Sequence, residues 1–236
     1  MRAARSLTSF AAAAALVLLA QPAWAGGVYR FAGEVTTISN PKMIGGGLVL
    51  GDTVRMTITL GPPVSDSDLA SSVGSYAGAI ESWTLEIGSF VTTGVGGDVL
   101  VCDSPDSTSP NCGSAFSYPW WNDAAVGMDG VRFVTRKLRS PPMVLNGFTQ
   151  ACGLIDDSCG NANVYDDAAT ALTNADIPLV LDPVKFDSGN GRVLFGPRGA
   201  NGFVGFSMTV VPEPSTYALV ALSLGLLGFT TGRRKT

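Results

Sequence analysis

The side chains in this sequence that could do acid–base chemistry are mainly carboxylates, because the chain contains no histidine. Without histidine, Ser-His-Asp and Cys-His mechanisms lack their base, and most zinc sites lack a ligand. Glycoside hydrolysis needs only two carboxylates at a suitable separation. The central part of the chain offers several, namely Glu34, Glu81, Glu86, Asp129 and Asp182. Their spacing singles out no pair, so we predict that the chain is not an enzyme.

Four cysteines are the next candidates for chemistry: Cys102, Cys112, Cys152 and Cys159. In an exported chain an even number of cysteines indicates disulfides, and four cysteines allow three pairings. Zinc is the competing use, but none of the pairs has the two-residue spacing of a zinc knuckle. We predict the local pairs Cys102–Cys112 and Cys152–Cys159, because each bridge would close a loop rich in glycine and serine.

Acidic stretches could supply the hard oxygen ligands that calcium prefers. The candidates are Asp66-Ser67-Asp68, Asp156-Asp157 and Asp187-Ser188-Gly189-Asn190. None continues into a full calcium-binding loop, and aspartate and asparagine also form ordinary turns. We therefore predict no cofactor and no metal site, with calcium as the open alternative.

An aromatic cluster, Tyr118, Trp120 and Trp121, lies in the predicted loop Ser104–Asn122. Exposed aromatic rings could stack on sugar rings, which would make the loop a carbohydrate-binding platform. Aromatic side chains buried beneath a long loop would give the same sequence pattern, so both interpretations stay open.

The elements that would position these residues are predicted to be β-strands. Residues 28–38 alternate in polarity, and Asp52–Leu60 alternates almost perfectly, which is typical of strands with one buried face. Further strands are predicted at Ser82–Ile87, Phe90–Thr93, Val99–Cys102, Val131–Leu138, Ile177–Leu181, Arg192–Phe195 and Phe203–Val211. Turns are predicted at Gly88, Gly96-Gly97, Asp129-Gly130 and Asn190-Gly191, and long loops at Ser104–Asn122 and Asn146–Ala175. The pattern predicts an all-β domain, an antiparallel β-sandwich or a jelly-roll-like fold.

Both ends of the chain read as targeting segments rather than as parts of this domain. Residues 1–25 combine early arginines, an apolar run and the small-x-small pattern of Ala23-Trp24-Ala25, which predicts a signal peptide cut after Ala25. At the other end, an uncharged stretch at about 217–232 could span a bilayer, and the basic residues that follow mark its cytoplasmic side. The domain is therefore predicted at 26–210 and an anchoring tail at 211–236.

The tail carries Pro212-Glu213-Pro214, then the apolar stretch, then Arg233 and Arg234. This order resembles the PEP-CTERM sorting domain, with the resemblance confined to about Val211–Thr236. The resemblance implies recognition of the triplet by an exosortase, a membrane protease, with the two arginines holding the tail on the cytoplasmic side. It also implies anchoring in the inner membrane before processing and a final place at the cell surface or outside the cell.

The predicted domain contains ten basic and 18 acidic residues, a net charge near −8. Such a charge argues against nucleic acid or anionic lipid as a partner, because both require a basic surface. The resemblance implies a non-catalytic surface or extracellular-matrix protein, associated with exopolysaccharide. The alternative is a carbohydrate-binding module that uses the aromatic loop.

Overall fold

The computed structural model of the chain describes residues 26–40, 47–68, 71–103, 129–139, 144–145, 148–150, 159–166, 169–195 and 202–212. Within these residues the structure contains strands and no helix. The strands are β1 Val28–Ile38, β2 Thr53–Leu60, β3 Val73–Tyr76, β4 Ile80–Ile87, β5 Phe90–Val95, β6 Gly97–Cys102, β7 Asp129–Thr135, β8 Val144–Leu145, β9 Phe148–Thr149, β10 Gly160–Asp166, β11 Ser188–Phe195, β12 Gly202–Ser207 and β13 Thr209–Val210.

Eleven of these strands form one antiparallel sheet with the order β3-β6-β7-β10-β11-β12-β1-β2-β4-β5, in which β13 pairs with β1. The all-β, antiparallel prediction is confirmed. The sheet is continuous, whereas a sandwich has two separate sheets. β1 makes it continuous, because its first part pairs with β2 and β13 and its last part pairs with β12. A break in register between Val35 and Thr37 marks this change of partner, and such bulges bend a strand.

The sheet folds over so that its two halves face each other across a common core. Phe133 of β7 packs on Tyr29 and Phe31 of β1, with ring centroids 5.2 and 5.5 Å apart. Because β7 and β1 are not neighbours in the sheet, this contact requires the sheet to curve back on itself. The alternation of β2 is confirmed, since its apolar residues all point into the core: Val54, Met56, Ile58 and Leu60.

Several sequence predictions about turns and loops are wrong. Asn190-Gly191 and Asp129-Gly130 lie inside β11 and β7. Gly191 is required by packing, because a Cβ there would lie 2.2 Å from Cε2 of Phe206. The predicted loop Asn146–Ala175 contains β9 and β10. By contrast, the predicted turn at Gly88 is confirmed, since Gly88 has a φ of +56° and lies between the paired residues that end β4 and begin β5.

The predicted strand Ile177–Leu181 is also wrong, because the structure shows an irregular segment there. Pro178 and Pro183 lack the N–H groups that a ladder needs, and Leu179 and Val180 are exposed. The strand β3 was not predicted.

The predicted signal peptide, the loop Ser104–Asn122 and the stretch 217–232 lie outside the described residues. Among the residues that the structure describes, no helix is long and apolar enough to cross a membrane.

Candidate functional site

The junction between the domain and the predicted tail is built by the pairing of β13 with β1. Val210 lies opposite Phe31, and the Val211 N–H donates a hydrogen bond of 2.8 Å to the Arg30 carbonyl. Pro212 follows and has no N–H to donate. Because β13 runs antiparallel to β1, the chain leaves the sheet at the end where β1 begins. The residues at which the domain starts and ends therefore lie at the same end of the sheet.

The loop 177–184 covers this end of the sheet beside the junction. Leu179, Val180 and Pro183 line a small pocket together with Val211 and Pro212. A tight turn shapes the loop, because the Asp182 side chain accepts a hydrogen bond of 2.9 Å from the Val184 N–H. The Asp182 carbonyl accepts another, also of 2.9 Å, from the Phe186 N–H. The loop is thus held in a defined shape next to the point where the tail begins.

Two tyrosines tie this loop and the residues before it to the core. The Tyr29 hydroxyl donates to the Pro178 carbonyl, and the Tyr76 hydroxyl donates to the Ala175 carbonyl over 2.9 Å. Both rings line a cavity of about 220 Å³ whose wall is mainly apolar. Burial, followed by the negative charges of Asp66 and Asp176, raises the pKa of Tyr76 to about 12. The hydroxyl is therefore neutral at physiological pH and serves as a structural donor.

Of the five carboxylates considered in the sequence, only Asp129 is buried. The five lie on β1, β4, β7 and the loop that contains Asp182, so they are not concentrated on one element. Asp129 accepts a hydrogen bond of 2.7 Å from the Leu172 N–H. Burial, and then the charge and hydrogen bond of Asp129, raise the pKa of Asp103.

Of the acidic stretches that could have bound calcium, the one at Asp66 holds the local backbone, and the one at Asp187 lies directly before β11 and continues into that strand. Asp66 accepts hydrogen bonds of 2.8 Å from the N–H groups of Asp68 and Ser75. The Asp187 carboxylate accepts a bond of 3.1 Å from the Ser188 hydroxyl. Within the described ranges no group of three or more potential metal ligands comes together.

A set of buried polar side chains on β7 and β10 was missed in the sequence. Asn161 and Asn163 are buried on the face opposite to Ala162 and Val164, and the Asn163 amide donates 3.2 Å to the Asn190 carbonyl. Alternation of small apolar residues with asparagine in 161–164 was a signal for this strand. It was obscured because the same residues are frequent in loops. The Asn163 amide therefore links β10 to the neighbouring strand β11.

Cys102 and Cys159 are fully buried, and both are disulfide-bonded in the structure. Cys102 lies opposite Gly130 on β7, whereas Cys159 bonds through its N–H to the carbonyl of Thr135, five residues further along the same strand. Five residues of strand span about 16 Å, far more than the Cα separation of about 4.4–6.8 Å that a disulfide allows. The two cysteines are therefore not bonded to each other. The pairing with Cys112 and Cys152 stays a prediction, since those two lie outside the described residues.

Among the predicted sorting residues the structure describes Pro212. The other sorting residues, the aromatic cluster and one acidic stretch lie outside the described residues: Ala23, Ala25, Tyr118, Trp120, Trp121, Asp156, Asp157, Glu213, Pro214, Arg233 and Arg234.

Residues 210–235 match the PEP-CTERM protein-sorting motif. The match confirms the resemblance predicted for Val211–Thr236. It indicates exosortase-dependent sorting to the cell surface by way of a membrane-anchored precursor. No curated protein and no solved structure matches the chain, so the central domain takes no function from a relative.

Proposed function

We propose that the domain is a non-catalytic cargo of the exosortase route, held at the inner membrane until it is cut near Pro212-Glu213-Pro214. The observation that carries the proposal is the position of the motif match relative to the fold. The match begins at residue 210, and the last described hydrogen bond of β13 with β1 is made by the Val211 N–H. The triplet therefore follows the sheet directly, in a segment where two prolines disfavour helix and strand pairing.

The proposed precursor has its domain outside the cytoplasm and its basic end inside. A signal peptide cut after Ala25 exports the domain, and the stretch 217–232 spans the membrane, with Arg233 and Arg234 on the cytoplasmic side. Each apolar residue of the span contributes about 0.3–0.6 kcal/mol to its insertion. Because these contributions add over the span, spontaneous release is negligible and the cut decides where the protein goes.

The test is to replace Pro212-Glu213-Pro214 by three alanines. We expect the full-length protein to stay in the inner membrane, because the recognition element is lost while the span remains. Deletion of Tyr217–Thr236 should instead release the domain into the periplasm. Cell fractionation with intact mass measurement distinguishes the two variants.

The chain offers a matched control in Pro62 and Pro63, two exposed prolines outside the tail. Replacing both by alanine should leave processing unchanged. If the triple-alanine variant still reaches the surface without its tail, the triplet is not the recognition element and the proposal fails.

We further propose that the sorted domain is a surface or matrix protein that associates with exopolysaccharide. Its net charge near −8 favours a neutral polysaccharide over an acidic one, because like charges repel. The aromatic loop with Trp120 and Trp121 is the proposed contact. Electrophoresis in polysaccharide affinity gels tests the association: polysaccharide in the gel should slow the domain, and alanine at both tryptophans should remove this effect. Equal mobility of the unchanged domain in gels with and without polysaccharide would exclude the association.

A further inference from the structure

Three aliphatic side chains project from the loop 177–184 into solvent. Leu179 is 80% exposed, Val180 69% and Val184 83%. Their exposure is built into the loop, because Leu181 and Phe186 are buried in the core on either side of the Asp182 turn. The loop cannot turn its apolar tip inward without withdrawing those two anchors. We call Leu179, Val180 and Val184 the apolar tip.

The apolar tip lies at the end of the domain from which the tail emerges. Leu179 and Val180 line the same small pocket as Val211 and Pro212, and Val211 itself is 36% exposed. The start of β1 borders this pocket as well, through Val28. The apolar surface and the point of attachment are therefore next to each other.

The tether between the domain and the proposed span is short. Only residues 212–216 separate Val211 from Tyr217, the first residue of the apolar stretch. Six residue steps reach at most about 20 Å when fully extended. The polar headgroup layer on each side of a bilayer is about 5–8 Å thick. A tether of this length therefore keeps the end of the domain that carries the apolar tip close to the headgroups.

We propose that the apolar tip inserts into the outer headgroup layer of the inner membrane while the precursor is anchored, and that this contact fixes the orientation of the domain above its cut site. The inference rests on the proposed anchoring of the precursor. The partner is a lipid surface, because the tip is purely aliphatic, whereas the residues that dominate protein interfaces are tryptophan, tyrosine and arginine. Because the domain is acidic, an anionic lipid surface would repel it. We therefore expect the contact to form with zwitterionic lipid.

The contact depends on the tether. Even a single myristoyl chain gives only marginal, reversible membrane binding, and three short side chains insert less apolar surface than that. Anchoring supplies a high effective concentration of lipid, which makes a weak contact persistent. Once the tail is cut, the domain therefore leaves the membrane.

The opposite end of β1 provides a matched control. Val49 and Leu50 are 63% and 64% exposed, and they lie beside Val35, because the Gly51 N–H donates to the Val35 carbonyl. Val35 is seven residues from Val28, which corresponds to about 23 Å of strand. These two side chains have the same chemistry as the apolar tip but lie far from the tail.

The experiment uses the full-length precursor, reconstituted in phosphatidylcholine nanodiscs. Photoreactive benzoylphenylalanine is placed at Leu179 or Val184, and in the control proteins at Val49 or Leu50. After illumination, mass spectrometry measures the lipid adduct. We expect adducts at Leu179 and Val184 to exceed those at Val49 and Leu50 several-fold. With the photoreactive group at Val180, the double substitution Leu179→Glu with Val184→Glu should remove the adduct, whereas Val49→Glu with Leu50→Glu should not.

The outcomes separate this inference from the proposed anchoring. A precursor that does not copurify with the nanodiscs contradicts the anchoring itself. A precursor that copurifies but gives equal lipid adducts at both ends leaves the anchoring intact and overturns the role of the apolar tip. An adduct that forms only after exosortase is added, and that carries the mass of the protease, would show that the tip binds the enzyme rather than lipid.

Discussion

Tyr76 links two parts of the chain that are distant in sequence, and it does so through one neutral hydroxyl. It lies at the end of β3 and donates to the Ala175 carbonyl, 99 residues away. Burial and the nearby Asp66 and Asp176 raise its pKa to about 12. An unfolded tyrosine titrates near pH 10. Between these two values the folded state holds a proton that the unfolded state has lost, so stability falls as the pH rises.

We predict that Tyr76→Phe reduces this alkaline loss of stability. Below pH 10 the variant should be less stable by about 1 kcal/mol, the usual contribution of a hydrogen bond. Above pH 10 the difference in stability between the two proteins should shrink, because only the wild-type protein has a hydroxyl at position 76 that can lose its proton. Urea unfolding at a series of pH values from 8 to 12 measures the difference, and parallel curves for the two proteins would contradict the prediction.

At the level of elements, β7 decides which disulfides are possible. β6 and β10 pair with β7 on its two sides, and the register places Cys102 and Cys159 near its opposite ends. Of the three pairings that four cysteines allow, this arrangement excludes the one that joins Cys102 to Cys159. Two pairings remain. The local pairing joins Cys102 to Cys112 and Cys152 to Cys159, and the other joins Cys102 to Cys152 and Cys112 to Cys159.

We predict that non-reducing peptide mapping of the exported protein finds Cys102 linked to Cys112 and Cys152 linked to Cys159. Short loops close at little cost in conformational entropy, so the local pairs form first. A peptide that joins Cys102 to Cys152 would contradict the prediction. Alkylation of free thiols before digestion at acidic pH prevents new linkages, because disulfide exchange requires a thiolate.

At the level of the whole molecule, the boundary of the folded domain and the sorting motif overlap by two residues. The motif match starts at 210, while Val210 is buried against β1 and Val211 makes the last described hydrogen bond between β13 and β1. A cut on the C-terminal side of Pro212 therefore leaves every described contact of β13 intact. The domain can be released without losing any part of its sheet.

We predict that exported chains ending at 216 and at 212 unfold at the same urea concentration, whereas a chain ending at 208 is less stable by roughly 2–3 kcal/mol. The loss comes from Val210, because full burial of a valine side chain contributes about 1.5–3 kcal/mol, together with the hydrogen bonds of β13. All three chains keep their disulfides, so the comparison isolates the last strand. Equal stability of the chain ending at 208 would show that β13 is not part of the folded unit.

The sequence alone was sufficient for the sorting motif and for the strand type of the domain. The motif is recognised from a contiguous order of residues, and alternation in β1 and β2 follows directly from the period of a strand with one buried face. Neither signal depends on distant parts of the chain. For that reason the amino-acid order by itself identifies Val211–Thr236 as a sorting tail and Asp52–Leu60 as a strand.

Tertiary structure decided the features that depend on contacts between distant residues. Asn190-Gly191 has the sequence of a turn, but both residues lie within β11 because they pair with β10 and β12. The Phe206 ring occupies the space that a side chain at Gly191 would need. Ile177–Leu181 has the composition of a strand, but its two exposed aliphatic residues lie beside the tail instead. A glycine can form a turn or lie in a strand, and an apolar run can enter a sheet or stay outside it. The outcome depends on which distant residues pack against the segment, and the sequence alone does not show which residues those are.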